Sequence, residues 1–333
     1  MIDRSYVGLL ATLACLVVLA FIASLAVGPS GISLGELRNA LQDGSGNDAV
    51  SLILWELRLP RALLGGLIGA SLALAGACLQ GYLRNPLAEP GIIGISSASA
   101  LGAVIAIYTG LAMRYPIALP LLAIGGSVLA VLALQILAHA GNALTLILAG
   151  VAMSSLCGAL TSLALSMSPN PFASLEIVFW LLGSITDRSM THVWLISPFV
   201  IGGWILLAMT ARPLDALSLG TETAASLGVD MNRLRVLVTL GAACCVGAAT
   251  AVSGVIGFVG LVVPHLLRPL VGYQPSRLLP ASALGGAALL LGADVLVRLV
   301  ATQNELRLGV VTALVGVPFF FYLVIRSRPA YGA

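Results

Sequence analysis

Long apolar runs alternate with short polar segments along most of the chain. Many runs contain about 20 residues, the length with which an α-helix crosses a hydrocarbon core of about 30 Å. The pattern therefore predicts an all-α polytopic membrane protein with ten transmembrane helices, folded as a single transmembrane domain over residues 1–333. The predicted spans are 6–27, 62–83, 92–111, 117–138, 143–167, 191–211, 234–252, 255–270, 278–297 and 308–325.

The first apolar run follows Arg4 and exceeds the apolar core of a signal peptide, which contains about 7 to 15 residues. No clear small-x-small cleavage site follows it, so an uncleaved first span is expected. With the N-terminus inside, the predicted inner segments carry a net charge of +4 and the outer segments −1. This asymmetry satisfies the positive-inside rule and predicts that both termini are cytoplasmic.

Two arginines depart from this rule at the predicted outer mouth of the second span. They lie in the stretch Arg58-Leu-Pro-Arg61, where a polar segment becomes an apolar run. Arginine on the outer face needs a specific reason. A protein partner with carboxylates is one explanation, and headgroup phosphates of the lipid are the other.

Two segments on the predicted outer side interrupt the pattern. The loop 28–57 contains Ser33 and Glu36 at the spacing of a capping box, which predicts a short surface helix. The segment 169–184 begins with two prolines and is too short to cross a bilayer. It predicts a half-helix that lines a pathway, because broken helices at membrane depth pack on protein or border a cavity; a plain interfacial helix is the alternative.

A polar inner segment, 212–235, predicts a helix of about two turns outside the membrane. Thr221 is the expected N-cap, Glu222 lies in the first turn, and Gly228 is the expected C-terminal cap. Its small or apolar residues Ala224, Ala225 and Leu227 fit a groove of another protein. A simple connector is equally compatible with this segment alone.

Composition excludes several functions. The chain is 59% hydrophobic and 9% charged, and all 16 basic residues are arginine. Without lysine it cannot form a conventional P-loop or a Schiff base. No cofactor and no metal site are expected on this chain, and its cysteines, which lack C-x-x-C spacing, are expected to be packing residues. They are Cys15, Cys78, Cys157, Cys244 and Cys245.

Ionisable residues are rare near the middle of the predicted spans. Asp294 and Arg298 lie one turn apart in the ninth span and are expected to pair. Proton-driven carriers usually place carboxylates or histidines at the midplane, which counts against a secondary transporter. Ser253 and His265 are weak candidates for an intramembrane hydrolase, since nothing indicates a third group or an oxyanion hole. No catalytic residue is therefore predicted.

Three stretches, 57–61, 79–96 and 257–268, closely resemble the FecCD family, the permease subunits of type II ATP-binding-cassette (ABC) importers for cobalamin, haem and ferric siderophores. Further similarities at 148–152, 179–183 and 308–316 extend the resemblance over nearly the whole chain. The resemblance implies a homodimer of ten-span subunits in the lipid of a bacterial inner membrane. It also implies two ATP-binding cassette subunits, which carry ATP and Mg, and a periplasmic substrate-binding protein; no nucleic-acid partner is expected.

The family resemblance also implies roles for individual residues. The residues implied to dock the binding protein are Arg58, Arg61 and Arg298. The implied cytoplasmic gate residues are Asn85 and Leu87. The implied contacts of the ATPase are Thr221, Glu222, Ala225, Leu227 and Gly228. The implied pathway-lining residues are Thr145, Met153, Thr161, Phe179 and Thr312.

The expected function is ATP-driven import of a metal chelate by alternating access. Haem or a ferric siderophore is the first expectation for the cargo and cobalamin the second, on family frequency alone. An ion-gradient-driven secondary transporter is the alternative function. ATP hydrolysis is expected on a separate subunit, so this chain itself is not expected to be an enzyme.

Overall fold

The computed structural model describes residues 4–28, 35–36, 39, 49–91, 93–137, 143–168, 170–300 and 306–326. Within these ranges all regular elements are helical. Apart from the short 3-10 helix Pro269–Val271, they are in chain order α1 Arg4–Ala26, α2 Ala49–Tyr82, α3 Ile95–Tyr108, α4 Leu111–Arg114, α5 Ala118–Leu137, α6 Ala143–Ser166, α7 Pro171–Leu181, α8 Met190–Ala208, α9 Ala211–Ser218, α10 Thr221–Ser226, α11 Met231–Ser253, α12 Val259–Leu267, α13 Pro275–Val300 and α14 Leu308–Arg326. The end of the bundle that carries Arg61 is called the outer end, following the charge asymmetry, and the opposite end the inner end.

Seven of the described helices are long and apolar enough to cross a membrane, namely α1, α2, α5, α6, α8, α11 and α13. The all-helical, multi-pass prediction is confirmed for the described residues. Each predicted span overlaps a helix, but α3 has 14 residues and α12 only nine. The count of ten spans therefore stays a prediction.

The helix α2 begins at Ala49, although hydropathy predicts the second span from residue 62. Its first turns are amphipathic and include a π-helical segment, Ile53–Arg58. Leu54 is buried while Glu56 is exposed, so the apolar run starts later than the helix. The surface helix predicted from Ser33 and Glu36 lies largely outside the described residues.

The centre of the bundle is built around α2. It packs closely against α13, since a Cβ at Gly69 would lie 2.3 Å from the Gly286 carbonyl oxygen. It packs equally closely against α12, where a Cβ at Gly76 would lie 2.0 Å from the Gly260 oxygen. Small residues at these crossings let the backbones touch.

The helical backbone is interrupted between α11 and α12, and this interruption is called the break. Gly254 and Phe258 both have positive φ, 67° at each, so neither helix continues through this segment. The five residues 254–258 separate the two helices, and α12 has only nine residues as a result. This break, together with the short helix α7, borders the candidate site.

Candidate functional site

The outer end carries an arginine cluster, defined as Arg58, Arg61 and Arg298 around Asp294. Arg61 donates from Nε at 2.9 Å and from Nη2 at 2.8 Å to Asp294 Oδ1, and Arg298 Nη2 lies 2.7 Å from Oδ2. The Asp294 side chain is only 1% exposed. The predicted pair of Asp294 and Arg298 is confirmed. The third member, Arg61, lies 233 residues away from Asp294, a separation that no local spacing reveals.

Arg58 and Arg298 of this cluster hold the C-terminal end of α1. Their acceptors are the carbonyl oxygens of residues 24–27: Arg58 Nη1 lies 2.7 Å from the Leu25 oxygen, and Arg298 Nη1 2.7 Å from the Val27 oxygen. The last carbonyls of a helix lack partners within it, and the helix dipole favours cations there. The cluster therefore fastens α1 to α2 and α13, and its role in docking a binding protein stays a prediction.

A second outer feature, called the outer junction, joins the end of α7 to the break after α11 and the start of α14. Ser184 N–H donates to the Ser253 oxygen at 2.7 Å, and Gly309 N–H donates to the Gly183 oxygen at 3.2 Å. Gly183 has φ +68°, and a Cβ there would lie 2.3 Å from the Val255 oxygen. Only glycine meets both conditions.

Two guanidiniums cover aromatic rings of α7. Arg188 lies 5.2 Å from the centre of the Trp180 ring, and Arg307 lies 5.0 Å from that of Phe179. Burial lowers the pKa of Arg188, a shift that nearby Asp187 opposes and Arg307 increases, yet arginine remains charged at neutral pH. Such cation–π contacts fix the aromatic face of α7 at the outer end. Phe179, a predicted lining residue, is 50% exposed.

A central cavity of about 390 Å³ lies next to the outer junction. Its wall includes Leu181 of α7, Gly257 of the break, Thr161 of α6 and Glu89 of the turn after α2. Leu72 also lines it and lies near the middle of the helical stretch Leu59–Tyr82. The cavity is therefore at mid-depth of the bundle, and it includes one of the residues predicted to line a pathway, Thr161.

The turn after α2, residues 83–91, is called the gate turn because it contains both predicted gate residues. Asn85 Oδ1 accepts from Leu87 N–H at 2.9 Å, an Asx turn that local sequence favours. Asn85 N–H donates to the Gln80 oxygen at 3.1 Å, and both predicted gate residues are half-buried. After Leu87 the chain turns back into the bundle and brings Glu89 to the cavity. The gating role of Asn85 and Leu87 stays a prediction.

The position of Glu89 was not predicted. Hydropathy assigns this carboxylate to the inner segments, whereas Glu89 borders the central cavity and accepts a hydrogen bond from Phe258 N–H at 2.6 Å. Re-entry of a turn into the bundle is a tertiary effect without a hydropathy signal. The available hint is Pro90 beside the glutamate, which stiffens the turn.

The other predicted lining residues lie at different places. A Cβ at Gly94 would lie 2.9 Å from Met153 Cβ, so Met153 packs against the start of α3. Thr312 lines a separate cavity of about 310 Å³ between α12, α13 and α14, and its hydroxyl donates to the Gly309 oxygen at 3.0 Å. Thr145 is half-buried near the beginning of α6. Their roles in a pathway remain predictions.

The inner end carries residues 211–230, which contain α9 and α10 and are called the coupling segment after their predicted role. The predicted N-cap at Thr221 is wrong: Thr221 is the first helical residue of α10, and Gly220 is the cap, with φ 118°. The predicted helix end at Gly228 is present one residue after the C-cap, which is Leu227: Gly228 has φ +83° and donates to the Ala225 oxygen at 2.9 Å. Ala224 is fully buried against the bundle. The exposed residues of the segment include all five that are predicted to contact the ATPase, namely Thr221, Glu222, Ala225, Leu227 and Gly228.

The coupling segment is attached to the bundle by α9. Asp215 Oδ1 accepts from Ser276 N–H, in the first turn of α13, at 2.8 Å. Leu214 is buried, and a Cβ at Gly81 of α2 would lie 3.4 Å from it. The segment therefore contacts both central helices, α2 and α13.

Comparisons with known proteins agree with this architecture. A family model described as the FecCD transport family matches residues 16–326. The hemin transport system permease protein HmuU of Yersinia pestis is 38% identical over 331 residues, 96% of each chain. The vitamin B12 import system permease protein BtuC of Vibrio cholerae is 42% identical over 278 residues, 83% of each chain.

A solved structure described as an inward-facing conformation of a metal-chelate type ABC transporter has the same fold. It is 34% identical, with a TM-score of 0.84, and the match covers 96% of this chain and 99% of that one. The family match spans nearly all of the helices described above, including both central helices and the broken segment. This chain therefore belongs to the FecCD transport family.

Proposed function

We propose that this chain is the permease subunit of an ATP-driven importer that passes a metal chelate to the cytoplasm by alternating access. The observation that carries the proposal is the central cavity, which lies between the outer junction and the gate turn. Alternating access needs a chamber around which the two sides of the bundle move in turn. The interruption between α11 and α12, the short helix α7 and the gate turn all border this one cavity. Irregular backbone of this kind is expected along a transport pathway.

The proposed unit is a homodimer of ten-span subunits in a bacterial inner membrane, with both termini cytoplasmic. In this unit, α3 crosses the membrane together with the gate turn, and α12 crosses it together with residues 254–258. The helix α7 is the outer half-helix. Large apolar side chains of α6 are exposed, including Leu156 at 57% and Leu163 at 53%. Lipid and the second subunit would cover such a surface.

The proposed partners supply what this chain lacks. Two ATP-binding cassette subunits, with ATP and Mg, hydrolyse the nucleotide, because a chain without lysine has no P-loop of its own. The exposed face of α10 is the proposed contact of these subunits. A periplasmic substrate-binding protein docks at the outer end near Arg61.

The proposed cargo is haem or a ferric siderophore first and cobalamin second. Relatives named for hemin transport and for vitamin B12 import are similarly close to this chain, so identity alone does not rank them. The cavity wall is largely apolar. Such a wall binds a bulky chelate weakly and leaves selection to the binding protein.

Reconstitution tests the proposal. The chain, its ATPase and its binding protein are placed in proteoliposomes, and uptake of radiolabelled haem, ferric siderophore and cobalamin is measured separately. Uptake is expected for one cargo class and should require hydrolysable ATP. Uptake that continues without the ATPase subunit would contradict the proposal.

An ion-gradient-driven carrier is the second candidate, and Glu89 is the observation that favours it. A carboxylate that borders a mid-depth cavity is typical of proton-coupled carriers. An ionophore that collapses the proton gradient separates the two functions. The ABC importer continues to transport in its presence, whereas a gradient-driven carrier stops.

A further inference from the structure

Glu89 connects the gate turn to the start of α12. Its Oε1 accepts a hydrogen bond of 2.6 Å from the backbone N–H of Phe258, the residue that precedes α12. The first N–H groups of a helix have no partner within it, and the helix dipole favours a negative charge there. One side chain therefore joins two segments that are 169 residues apart in sequence.

Phe258 extends this connection to α14. A Cβ at Gly316 of α14 would lie 2.3 Å from Phe258 Cβ, so the phenylalanine side chain sits directly against that helix. The φ angle of Phe258 is +67°, a left-handed conformation that is unfavourable for a bulky residue. Such a conformation persists only where surrounding contacts hold it. The Glu89 carboxylate and the α14 contact are two of those contacts.

The packing of α12 on α2 has a separate support. Gln80 Nε2 lies 3.3 Å from the carbonyl oxygens of Gly260 and Leu261, and Arg268 Nη2 donates to Gln80 Oε1. These contacts do not involve Glu89. Loss of the Glu89 acceptor should therefore release the gate turn without detaching α12 from the bundle.

We propose that Glu89 is a positioning residue of the inner gate, which holds the gate turn against Phe258 and through it against α14. This inference rests on the proposed permease function. The gate turn cannot move away from the cavity without breaking this bond, so the positions of the gate turn and α14 are linked. Without an acceptor at position 89 the gate turn is not held, and the inner end leaks.

The experiment compares Glu89→Gln with Glu89→Met in the complete reconstituted complex. The glutamine oxygen still accepts from Phe258 N–H, whereas methionine has a similar length and no such acceptor. Release of calcein trapped in the proteoliposomes is measured without ATP and without the binding protein, and cargo taken up per ATP hydrolysed is measured separately. Glu56→Gln, at an exposed position of α2, is the matched control.

We expect Glu89→Met to release calcein roughly tenfold faster than wild type, because it loses a hydrogen bond to a charged group. Its uptake per ATP should fall by a similar factor, while Glu89→Gln and Glu56→Gln remain close to wild type. Equal calcein retention by all variants overturns the inference. An equal defect in Glu89→Gln and Glu89→Met also overturns it, since titration of the carboxyl would then be essential.

Two further measurements keep the outcomes distinct. Melting of each purified variant checks that the helices remain assembled, and Glu89→Ala replaces Glu89→Met if the latter does not assemble. ATP-dependent uptake by wild type tests the proposed function by itself. Its failure contradicts the importer, whereas normal wild-type uptake with an unchanged Glu89→Met variant contradicts only the role of Glu89.

Discussion

At the scale of single residues, the outer arginines stabilise the fold of this chain through contacts within the chain itself. Asp294 is 1% exposed and has guanidiniums of Arg61 and Arg298 within 2.8 Å. A carboxylate buried without partners would be strongly destabilising. Of the arginines at this end, Arg58 and Arg298 also bind the end of α1. Their placement against the positive-inside rule therefore has an internal cause, whether or not a binding protein docks on them.

Arg58 provides a test of stability and Arg61 a test of docking, although Arg61→Gln should also lower the melting temperature because Arg61 pairs with the buried Asp294. Arg58 is 5% exposed and donates to the end of α1, so Arg58→Gln should lower the melting temperature of the purified chain, with a loss of about 1 kcal/mol. Arg61 is 17% exposed and makes no α1 contact among its described hydrogen bonds. Arg61→Gln should weaken docking of the binding protein roughly tenfold at low salt and less at high salt. Unchanged docking at both salt concentrations would remove the assignment.

Spacing along the sequence predicts contacts between residues within one helix but not contacts between distant segments. The pair of Asp294 and Arg298 is one helical turn apart and could be predicted. The contact of Glu89 with Phe258 spans 169 residues, and its formation depends on how the gate turn folds back into the bundle. The sequence predicted Asn85 and Leu87 of the gate turn. The contact of Glu89 with Phe258, which fixes the turn, could be found only from the tertiary structure.

At the scale of elements, caps and breaks explain which predictions succeed. Asn170 caps α7 by accepting from Ala173 N–H at 2.8 Å, and Pro171 follows at the first helical position, a signature contained in four residues. The short helix in 169–184 was predictable for that reason. The start of α2 at Ala49 and the shortness of α12 were not, because an amphipathic start and a strained break leave the hydropathy profile almost unchanged.

The outer junction is expected to be intolerant of any side chain at Gly183. In Gly183→Ala, the alanine would have to adopt a left-handed φ, and its Cβ would lie only 2.3 Å from the Val255 oxygen. The helix α7 must therefore move away from the break. Gly110→Ala is the control, since Gly110 has φ +71° and no heavy atom within 4 Å of the added Cβ. The control should lose about 1 kcal/mol of stability, and Gly183→Ala clearly more. Equal melting temperatures of the two variants would show that the junction is not tightly packed.

Asp215 is the expected mechanical link between the coupling segment and α13. Asp215→Ala removes the acceptor of Ser276 N–H, a change that typically costs about 1 kcal/mol at a helix start. In the reconstituted complex, uptake per ATP hydrolysed should fall several-fold while ATP hydrolysis continues. Ser218→Ala, whose hydroxyl bonds within its own helix, should behave as wild type. A wild-type ratio of uptake to hydrolysis in Asp215→Ala would contradict this link.

At the scale of the whole molecule, burial divides the helices into a centre and a periphery. In the most apolar window of α2, 83% of residues are buried, against 11% in α1 and 17% in α6. Hydropathy predicts all of these helices because it responds to lipid and protein contacts alike. It cannot rank them, since an apolar side chain is equally compatible with a central helix and with a lipid-facing one. The central position of α2 follows instead from the glycines where its backbone touches α12 and α13.

The exposed inner surface gives the last expectation, which concerns how this chain is driven. Leu227 is 64% exposed beside α10 at the inner end, where water would surround an uncovered leucine. Leu227→Ser should reduce uptake per ATP hydrolysed and weaken binding of the ATPase subunit roughly tenfold, since burial of a leucine contributes about 1.5–3 kcal/mol. The melting temperature of the isolated chain should stay unchanged. Leu219→Ser is the control, because Leu219 is 67% exposed in the same segment and precedes α10. Equal effects of both substitutions would indicate a general response to lost apolar surface. They would contradict a specific binding site for α10 on the ATPase subunit.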